Sequence, residues 1–217
     1  MVAQIRRPVM SNRRITVIDY GMGNLWSVLN AFNYIGCSAC VSSDPETIER
    51  ANALVLPGVG SFRRAMLSLG ETGIANAILE AVVAKGRNIL GICLGMQLLG
   101  SRSTEDGMTT GLNLIPAPVE RFDLGEIGSS KIPHIGFNLV RSGRESRLFR
   151  SLPRTADFYF VHSYRMLPEG LPGTMATCHY GTEFLAAYEH EGVSATQFHP
   201  EKSQTNGLTL LMNFASQ

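Results

Sequence analysis

The first hundred residues alternate short apolar runs with segments in which apolar residues recur at helical spacing. The runs predict strands, and the segments between them predict helices, one of them capped by Asn24. Apolar strands separated by helices are typical of a parallel sheet that is covered on both faces. The predicted strands are RITVID (14–19), CSACV (37–41), ALVLPGVG (53–60) and NILGIC (88–93).

From about residue 115 the pattern changes to strand-like pieces separated by proline and glycine turns. These pieces predict hairpins, which would add antiparallel strands to the parallel part of the sheet. Residues 207–215 predict a closing helix. We find no repeat, low-complexity tract or linker, so we expect one domain over residues 15–217. The predicted fold class is therefore α/β, with a mostly parallel central sheet flanked by helices and antiparallel strands added in the second half.

Residues 1–14 differ from the rest of the chain, because they contain four arginines and no acidic residue. This composition favours a disordered basic leader. A short basic contact arm and a targeting segment are the alternatives, although the segment is short for a transit peptide and lacks its amphipathic, serine-rich pattern.

Composition disfavours several classes of function. The formal net charge is +1, so no overall field favours nucleic acid or an anionic membrane. No apolar run approaches the roughly 20 residues of a membrane span. Four cysteines in 217 residues do not make a disulfide framework, which predicts a reduced, cytoplasmic protein. Cys178 and His179 are too few for a zinc site, and we expect neither a metal nor a cofactor.

The most informative glycine turn is GICLG (91–95), at the end of a predicted strand. G-x-C-x-G between a strand and a helix matches the nucleophile elbow, in which small flanking residues permit a strained turn that exposes the central side chain. Cys93 would then lie near a helix N-terminus, which favours the thiolate. The turn PGVG (57–60) is suited to supply backbone N–H groups to an oxyanion. Taken alone, Cys93 is also compatible with a buried core thiol.

The segment QFHPEKS (197–203) supplies the base that a cysteine nucleophile needs. His199 ends a strand-like run, and Glu201 follows it by two positions. In extended backbone such residues point to the same side, so we expect the carboxylate to reach the imidazole. Cys93, His199 and Glu201 would then form a triad of the Ser-His-Asp kind, which favours a nucleophile over a core thiol.

These motifs resemble those of the class I glutamine amidotransferases. GICLGMQLL and QFHPEKS are similar to the motifs of the whole class, whereas DYGMGNL, LPGVGSF, KIPHIGFN and FYFVHSY are similar to those of the glutaminase subunits of imidazole glycerol phosphate synthases. The resemblance runs from about Ile15 to the C-terminus. It implies a flavodoxin-like fold, hydrolysis of L-glutamine through a thioester on Cys93, and passage of ammonia to a (β/α)₈ cyclase partner in a heterodimer of histidine biosynthesis.

The resemblance also assigns roles to individual residues. It further implies that the oxyanion turn is poorly placed until the partner binds its ligand. The implied sites are a catalytic triad of Cys93, His199 and Glu201; an oxyanion hole of Gly58, Val59 and Leu94; a glutamine site of Gly60, Gln97, His162, Ser163 and Tyr164; and a partner interface containing Asn24, His134, Phe137, Asn138 and Lys202.

Three positions depart from the pattern of the subfamily. Phe137 stands where tryptophan is usual, and Asn113 and Ala117 stand where glycines are common. The acceptor of the ammonia is therefore open, and the alternative is a paralogous glutaminase that serves another synthase, such as one that makes amidino sugars for surface polysaccharide. A cysteine hydrolase or peptidase on the same elbow and a non-catalytic binding module are the more distant alternatives.

Overall fold

The computed structural model of the protein describes residues 14–217, so the predicted leader lies outside the described residues except for Arg14. The strands are β1 (Ile15–Ile18), β2 (Ala39–Ser42), β3 (Ala53–Gly58), β4 (Asn88–Cys93), β5 (Arg102–Ser103), β6 (Thr109–Thr110), β7 (Pro118–Arg121), β8 (His134–Ser142), β9 (Thr155–His162), β10 (Tyr164–Arg165), β11 (Thr174–Tyr180), β12 (Thr182–His190) and β13 (Val193–Thr196). The α-helices are α1 (Leu25–Tyr34), α2 (Pro45–Glu49), α3 (Phe62–Glu71), α4 (Ile74–Leu79), α5 (Leu94–Leu98), α6 (Leu124–Ile127) and α7 (Gln204–Ala215). A π-helical turn (Glu80–Ala84) continues α4, and a 3₁₀ turn (Pro200–Lys202) precedes α7.

A nine-stranded sheet in the order β2-β1-β3-β4-β13-β12-β11-β8-β9 forms the centre of the molecule. The strands from β2 to β13 pair in parallel, and those from β13 to β9 pair antiparallel. A small second sheet has the order β10-β7-β5-β6. The prediction of a parallel core with antiparallel additions is confirmed. The position of β13 matters for the site described below, because it brings residues from near the C-terminus next to β4.

The apolar core lies in two clusters, in each of which strand residues pack against helices from different parts of the chain. One cluster contains Phe32 of α1 and Phe214 of α7, and the other contains Phe62 of α3 and Ile74 of α4. Helices α1 and α7 thus cover one side of the sheet, and α2 to α5 contribute to the other. Burial of the sheet on both faces explains why its parallel strands are apolar at nearly every position.

Helices α2 and α3 fall in segments for which no helix was predicted, as does the single turn of α6. Helix α2 begins after Asp44, its N-cap, whose carboxylate accepts a hydrogen bond from the Thr47 N–H at 2.9 Å. Helix α3 is capped by Ser61 and buries Phe62, Ala65 and Leu69. Both helices therefore carry ordinary capping signals.

No single helix between residues 14 and 217 is long and apolar enough to cross a membrane. Helix α3 and the segment Ile74–Ala84 reach the necessary length and apolarity only when they are taken together, and the chain bends by 87° between them.

Candidate active site

Cys93 ends β4 at a backbone position that few side chains adopt. Its φ is 56° and its ψ is −109°, and α5 begins at the next residue. The flanking glycines allow the sharp turn: a Cβ on Gly95 would lie 1.7 Å from the Leu56 carbonyl oxygen, and one on Gly91 would lie 2.8 Å from the Met96 nitrogen. The elbow predicted from GICLG thus has a steric basis, because α5 can follow β4 so closely only where these positions lack side chains.

The two strands that flank β4 bring further groups to Cys93. In the register of β3 and β4, Gly58 lies opposite Cys93. In the register of β13 and β4, Thr196 lies opposite Ile92, so the next residue, Gln197, lies beside Cys93. The Gln197 side chain is fully buried, and its Nε2 donates to the Cys93 Sγ at 3.8 Å. Cys93 therefore lies between the predicted oxyanion turn on one side and a buried amide on the other.

His199 and Glu201 form a buried pair close to Cys93. His199 Nδ1 lies 2.7 Å from Glu201 Oε1, and the two side chains are 4% and 3% exposed. The main chain of His199 is fixed, since its N–H donates to the Tyr159 carbonyl at 2.9 Å and its carbonyl accepts from the Ser203 hydroxyl at 2.6 Å. The expected contact is present, but the expected backbone is not, because Glu201 lies in the 3₁₀ turn rather than in extended chain.

The protonation of His199 is governed by its two neighbours. Burial opposes the charged form, but hydrogen bonding and charge from Cys93 and Glu201 outweigh it and raise the pKa of His199 to about 10. Nε2 is buried and makes no hydrogen bond of normal geometry within residues 14–217. Cys93 therefore affects the pKa of His199 as a nearby thiol that is not aligned with the ring. The arrangement favours the imidazolium form of His199 at neutral pH.

A cavity of about 320 Å³ opens next to Cys93. Its volume lies at the lower end of the range of small-molecule sites. Most of the predicted substrate and oxyanion residues line it, and Gly58 lies just behind its wall, in register with Cys93. The predicted residues in the lining are Val59, Gly60, Cys93, Leu94, Gln97, His162, Ser163 and Tyr164.

Hydrogen bonds hold the polar wall of this cavity in one arrangement. Gln97 Nε2 donates to the Tyr164 carbonyl at 3.1 Å and to Gln197 Oε1 at 3.0 Å. His162 Nδ1 lies 2.8 Å from the same carbonyl, which can only accept, so His162 donates from Nδ1 and accepts at Nε2. His134 Nδ1 lies 3.0 Å from that Nε2 and is therefore the donor. Burial lowers the pKa of His162 to about 3 and that of His134 to about 4, so both rings are neutral.

Two residues of the site carried no signal that the sequence analysis used. Gln197 belongs to the QFHPEKS motif but was not assigned a role. Glu105 is the one charged residue in the cavity lining of the described chain, and its carboxylate accepts the Phe62 N–H at 2.8 Å. Burial raises the pKa of Glu105. A carboxylate at this place is suited to bind the ammonium group of an amino acid. Its sequence neighbourhood, STEDG, looks like an ordinary polar loop.

The residues predicted to contact a partner fall into an exposed set and a buried one. Asn24, Phe137 and Lys202 are exposed, and Phe137 and Lys202 both lie against the Tyr159 ring. Asn138 is partly exposed, whereas His134 is only 2% exposed. The structure thus places His134 beneath this surface rather than on it, because its ring stacks on neighbouring aromatic rings and bonds to His162.

No group of three or more His, Cys, Asp or Glu side chains in residues 14–217 is arranged to hold a metal ion. A buried nucleophile, a base with its carboxylate, a glycine turn and a carboxylate-bearing cavity together suit acyl transfer from a small amino-acid amide.

Comparisons with known proteins agree with this chemistry. The family model described as glutamine amidotransferase class-I matches residues 16–217. The imidazole glycerol phosphate synthase subunit HisH of Geobacter sulfurreducens is 47% identical over 204 residues, which cover 93% of this chain and 97% of that protein. The subunit of the same name from Syntrophotalea carbinolica is 48% identical over 203 residues, which cover 92% and 98%. A solved glutamine amidotransferase from Thermotoga maritima matches with a TM-score of 0.61 at 19% identity, covering 88% of this chain and 77% of that one, which shows likeness of fold alone.

Proposed function

The chain belongs to the class I glutamine amidotransferases, and we propose that it is the glutaminase subunit of an imidazole glycerol phosphate synthase in histidine biosynthesis. In this role it hydrolyses L-glutamine to glutamate and supplies ammonia to a synthase partner. Identity of 47% and 48% to two proteins named as such subunits, over more than nine-tenths of the chain, supports this assignment over a paralogous synthase. The observation that carries the chemistry is the buried His199–Glu201 pair close to Cys93, which itself lines the cavity.

We infer that Cys93, His199 and Glu201 act as the catalytic triad. The Cys93 thiolate attacks the carboxamide carbon of glutamine and forms a C–S bond. The imidazolium of His199 gives its Nε2 proton to the leaving nitrogen, ammonia departs, and a γ-glutamyl thioester remains. Neutral His199 then takes a proton from water, the hydroxide attacks the thioester carbon, and the C–S bond breaks to release glutamate. Glu201 holds Nδ1 and thereby the tautomer and the orientation of the ring.

The negative oxygen of each tetrahedral intermediate needs backbone donors. The N–H of Leu94, the residue after the nucleophile, and the N–H of Val59 in the glycine turn are the proposed pair. Both residues line the cavity next to Cys93. Glu105 binds the ammonium group of the substrate, and the wall built from Gln97, His162 and Tyr164 shapes the remainder of the pocket.

The proposed partner is a (β/α)₈ cyclase, with which the chain forms a heterodimer in the cytoplasm. The reaction needs such an assembly, because ammonia released into water at neutral pH becomes protonated and loses its nucleophilicity. Alternate residues of β8 form an exposed apolar stripe, Ile135, Phe137 and Leu139, which are 59%, 48% and 59% exposed. Phe137 also contacts the Tyr159 ring, over which Lys202 lies. This surface is the proposed docking face.

Co-purification with the cyclase tests the proposal. The complex is expected to hydrolyse glutamine far faster than the lone chain and to restore growth of a histidine auxotroph. Cys93→Ala is expected to abolish glutaminase activity while leaving synthesis from ammonium salts intact, since only the generation of ammonia is lost. Cys178→Ala, which removes a buried thiol from β11, is the matched control and should retain both activities. Loss of both activities in a folded Cys93→Ala complex would contradict the assignment, and failure to complement would favour a different synthase.

A further inference from the structure

One polar group beside the active site has no part in the chemistry described above. The Tyr20 side chain is 3% exposed, and its hydroxyl makes no hydrogen bond with any residue from 14 to 217. A buried hydroxyl without a partner loses its hydration and gains nothing in return, which destabilises the folded chain. Few buried polar groups in a native protein lack a partner, and each of them requires a functional or structural reason.

The Tyr20 hydroxyl lies directly against the oxyanion turn. It is 2.1 Å from the place that a Cβ on Gly58 would occupy, closer than any other atom. Gly58 in turn lies opposite Cys93 in the register of β3 and β4. Burial and, secondly, the charge of Cys93 raise the pKa of the Tyr20 phenol. Tyr20 therefore keeps its proton at neutral pH and offers a hydrogen-bond donor next to the nucleophile.

The main chain around Tyr20 is well fixed. The Ser68 hydroxyl of α3 donates to the Tyr20 carbonyl at 2.6 Å. The turn that follows also touches the oxyanion turn, because a Cβ on Gly23 would lie 3.6 Å from the Gly58 Cα. These contacts hold the main chain of Tyr20 in place, so that its hydroxyl lies at Gly58.

Peptide geometry connects this donor with the oxyanion hole. A trans peptide points its N–H and its C=O in opposite directions. β3 lies between β4, which carries Cys93, and β1, which leads to Tyr20. When the Val59 N–H faces Cys93, the Gly58 carbonyl must face the side of Tyr20. We propose that Tyr20 is a positioning residue, whose hydroxyl donates to the Gly58 carbonyl and so holds the oxyanion turn in its working orientation.

This inference rests on the proposed glutaminase activity. It explains why the hydroxyl has no acceptor in the structure: the bond forms only when the Gly58–Val59 peptide turns its N–H towards the oxyanion. The unsatisfied donor makes the resting orientation less stable, and the new hydrogen bond favours the orientation that catalysis needs. Tyr20 acts through the turn and does not itself touch the substrate.

The chain contains a matched control for a test. Tyr188 on β12 is 1% exposed, and its hydroxyl likewise has no partner among the described residues. Tyr188 does not line the cavity, and β4 and β13 lie between its strand, β12, and β3, which carries Gly58. Tyr20→Phe therefore removes a buried hydroxyl near the oxyanion turn, and Tyr188→Phe removes the same group away from that turn.

The test measures thermal unfolding of both variants and the glutaminase kinetics of each in complex with the cyclase. Both variants are expected to unfold at or above the wild-type temperature, since each loses an unpaired buried hydroxyl. Only Tyr20→Phe is expected to lose activity, with kcat about three- to tenfold lower, the effect of one net hydrogen bond, and KM for glutamine within twofold. Synthesis from ammonium salts should be unchanged, which shows that the complex is intact.

The inference is overturned if kcat of Tyr20→Phe falls by less than threefold, or if Tyr188→Phe lowers it by the same factor. A lower unfolding temperature for Tyr20→Phe also overturns it, because the hydroxyl would then be bonded in the resting state. Absence of glutaminase activity in the wild-type complex overturns the proposed function and this inference together, whereas equal activity of wild type and Tyr20→Phe overturns the inference alone.

Discussion

Replacement of Gln197 by leucine is expected to lower both the stability and the activity of the protein. Leucine has a similar size but neither accepts the hydrogen bond from Gln97 Nε2 nor donates to the Cys93 Sγ. Since Gln97 and Gln197 are 5% and 0% exposed, water cannot replace the lost acceptor. A buried donor left without its partner costs about 1–3 kcal/mol of the free energy of unfolding. For a domain of this size, that lowers Tm by roughly 2–12 °C.

A double-mutant cycle isolates the interaction between the two glutamines. Gln97→Leu alone leaves Gln197 Oε1 unpaired, and Gln197→Leu alone leaves one N–H of Gln97 unpaired. The double variant leaves neither, so its loss of unfolding free energy should be smaller than the sum of the single losses by about 1–2 kcal/mol. Urea unfolding measures all four proteins. Losses that add to within about 0.5 kcal/mol would refute the reasoning, because the hydrogen bond would then contribute nothing to the folded state.

Two further predictions concern the same cavity. Glu105→Gln should raise KM for glutamine by about 10- to 100-fold with little change in kcat, since it removes a charged partner of the substrate ammonium. Initial-rate kinetics of the complex measure both constants. A fall in kcat with an unchanged KM would contradict this role. The free energy of unfolding should be at its full value above pH 6.5 and fall as the pH drops from 6.5 towards 4. In that window the unfolded chain protonates His134 and His162, whereas burial lowers their pKa values to about 4 and 3 in the folded chain. For His134 alone the effect is roughly 3 kcal/mol, so urea unfolding of His134→Asn between pH 4 and 7 should show a shallower slope, and an equal slope would exclude this cause.

The parts of the fold that were predicted correctly are those with a local signal. The parallel strands β1 to β4 are short, mostly apolar runs, and the turn at Cys93 is encoded by Gly91 and Gly95 within the same five residues. Membership of the amidotransferase class followed from equally local motifs and is confirmed. Helix α3 was overlooked although Ser61 and the spacing of its buried residues were visible, so that omission was not forced by physics.

The remaining features depend on contacts between distant residues. Glu105 is 12 positions beyond Cys93 in a polar loop, and only the folded chain turns its carboxylate into the cavity wall. Gln197 reaches Cys93 because β13 inserts beside β4, which no local pattern can indicate. The contact between His199 and Glu201 was expected from extended backbone and arises instead from a 3₁₀ turn. His134 was expected on the partner surface, but side chains from several strands bury it.

The insertion of β13 between β4 and β12 has a consequence for synthesis of the protein on the ribosome. Cys93 and Gln197 are 104 positions apart in the chain, and β13 is the last strand to be made. Until it emerges, β4 has an open edge and the nucleophile has neither its amide neighbour nor its base. Contacts of such long range form late in folding. A nascent or truncated chain that lacks β13 and the residues after it is therefore expected to be catalytically silent.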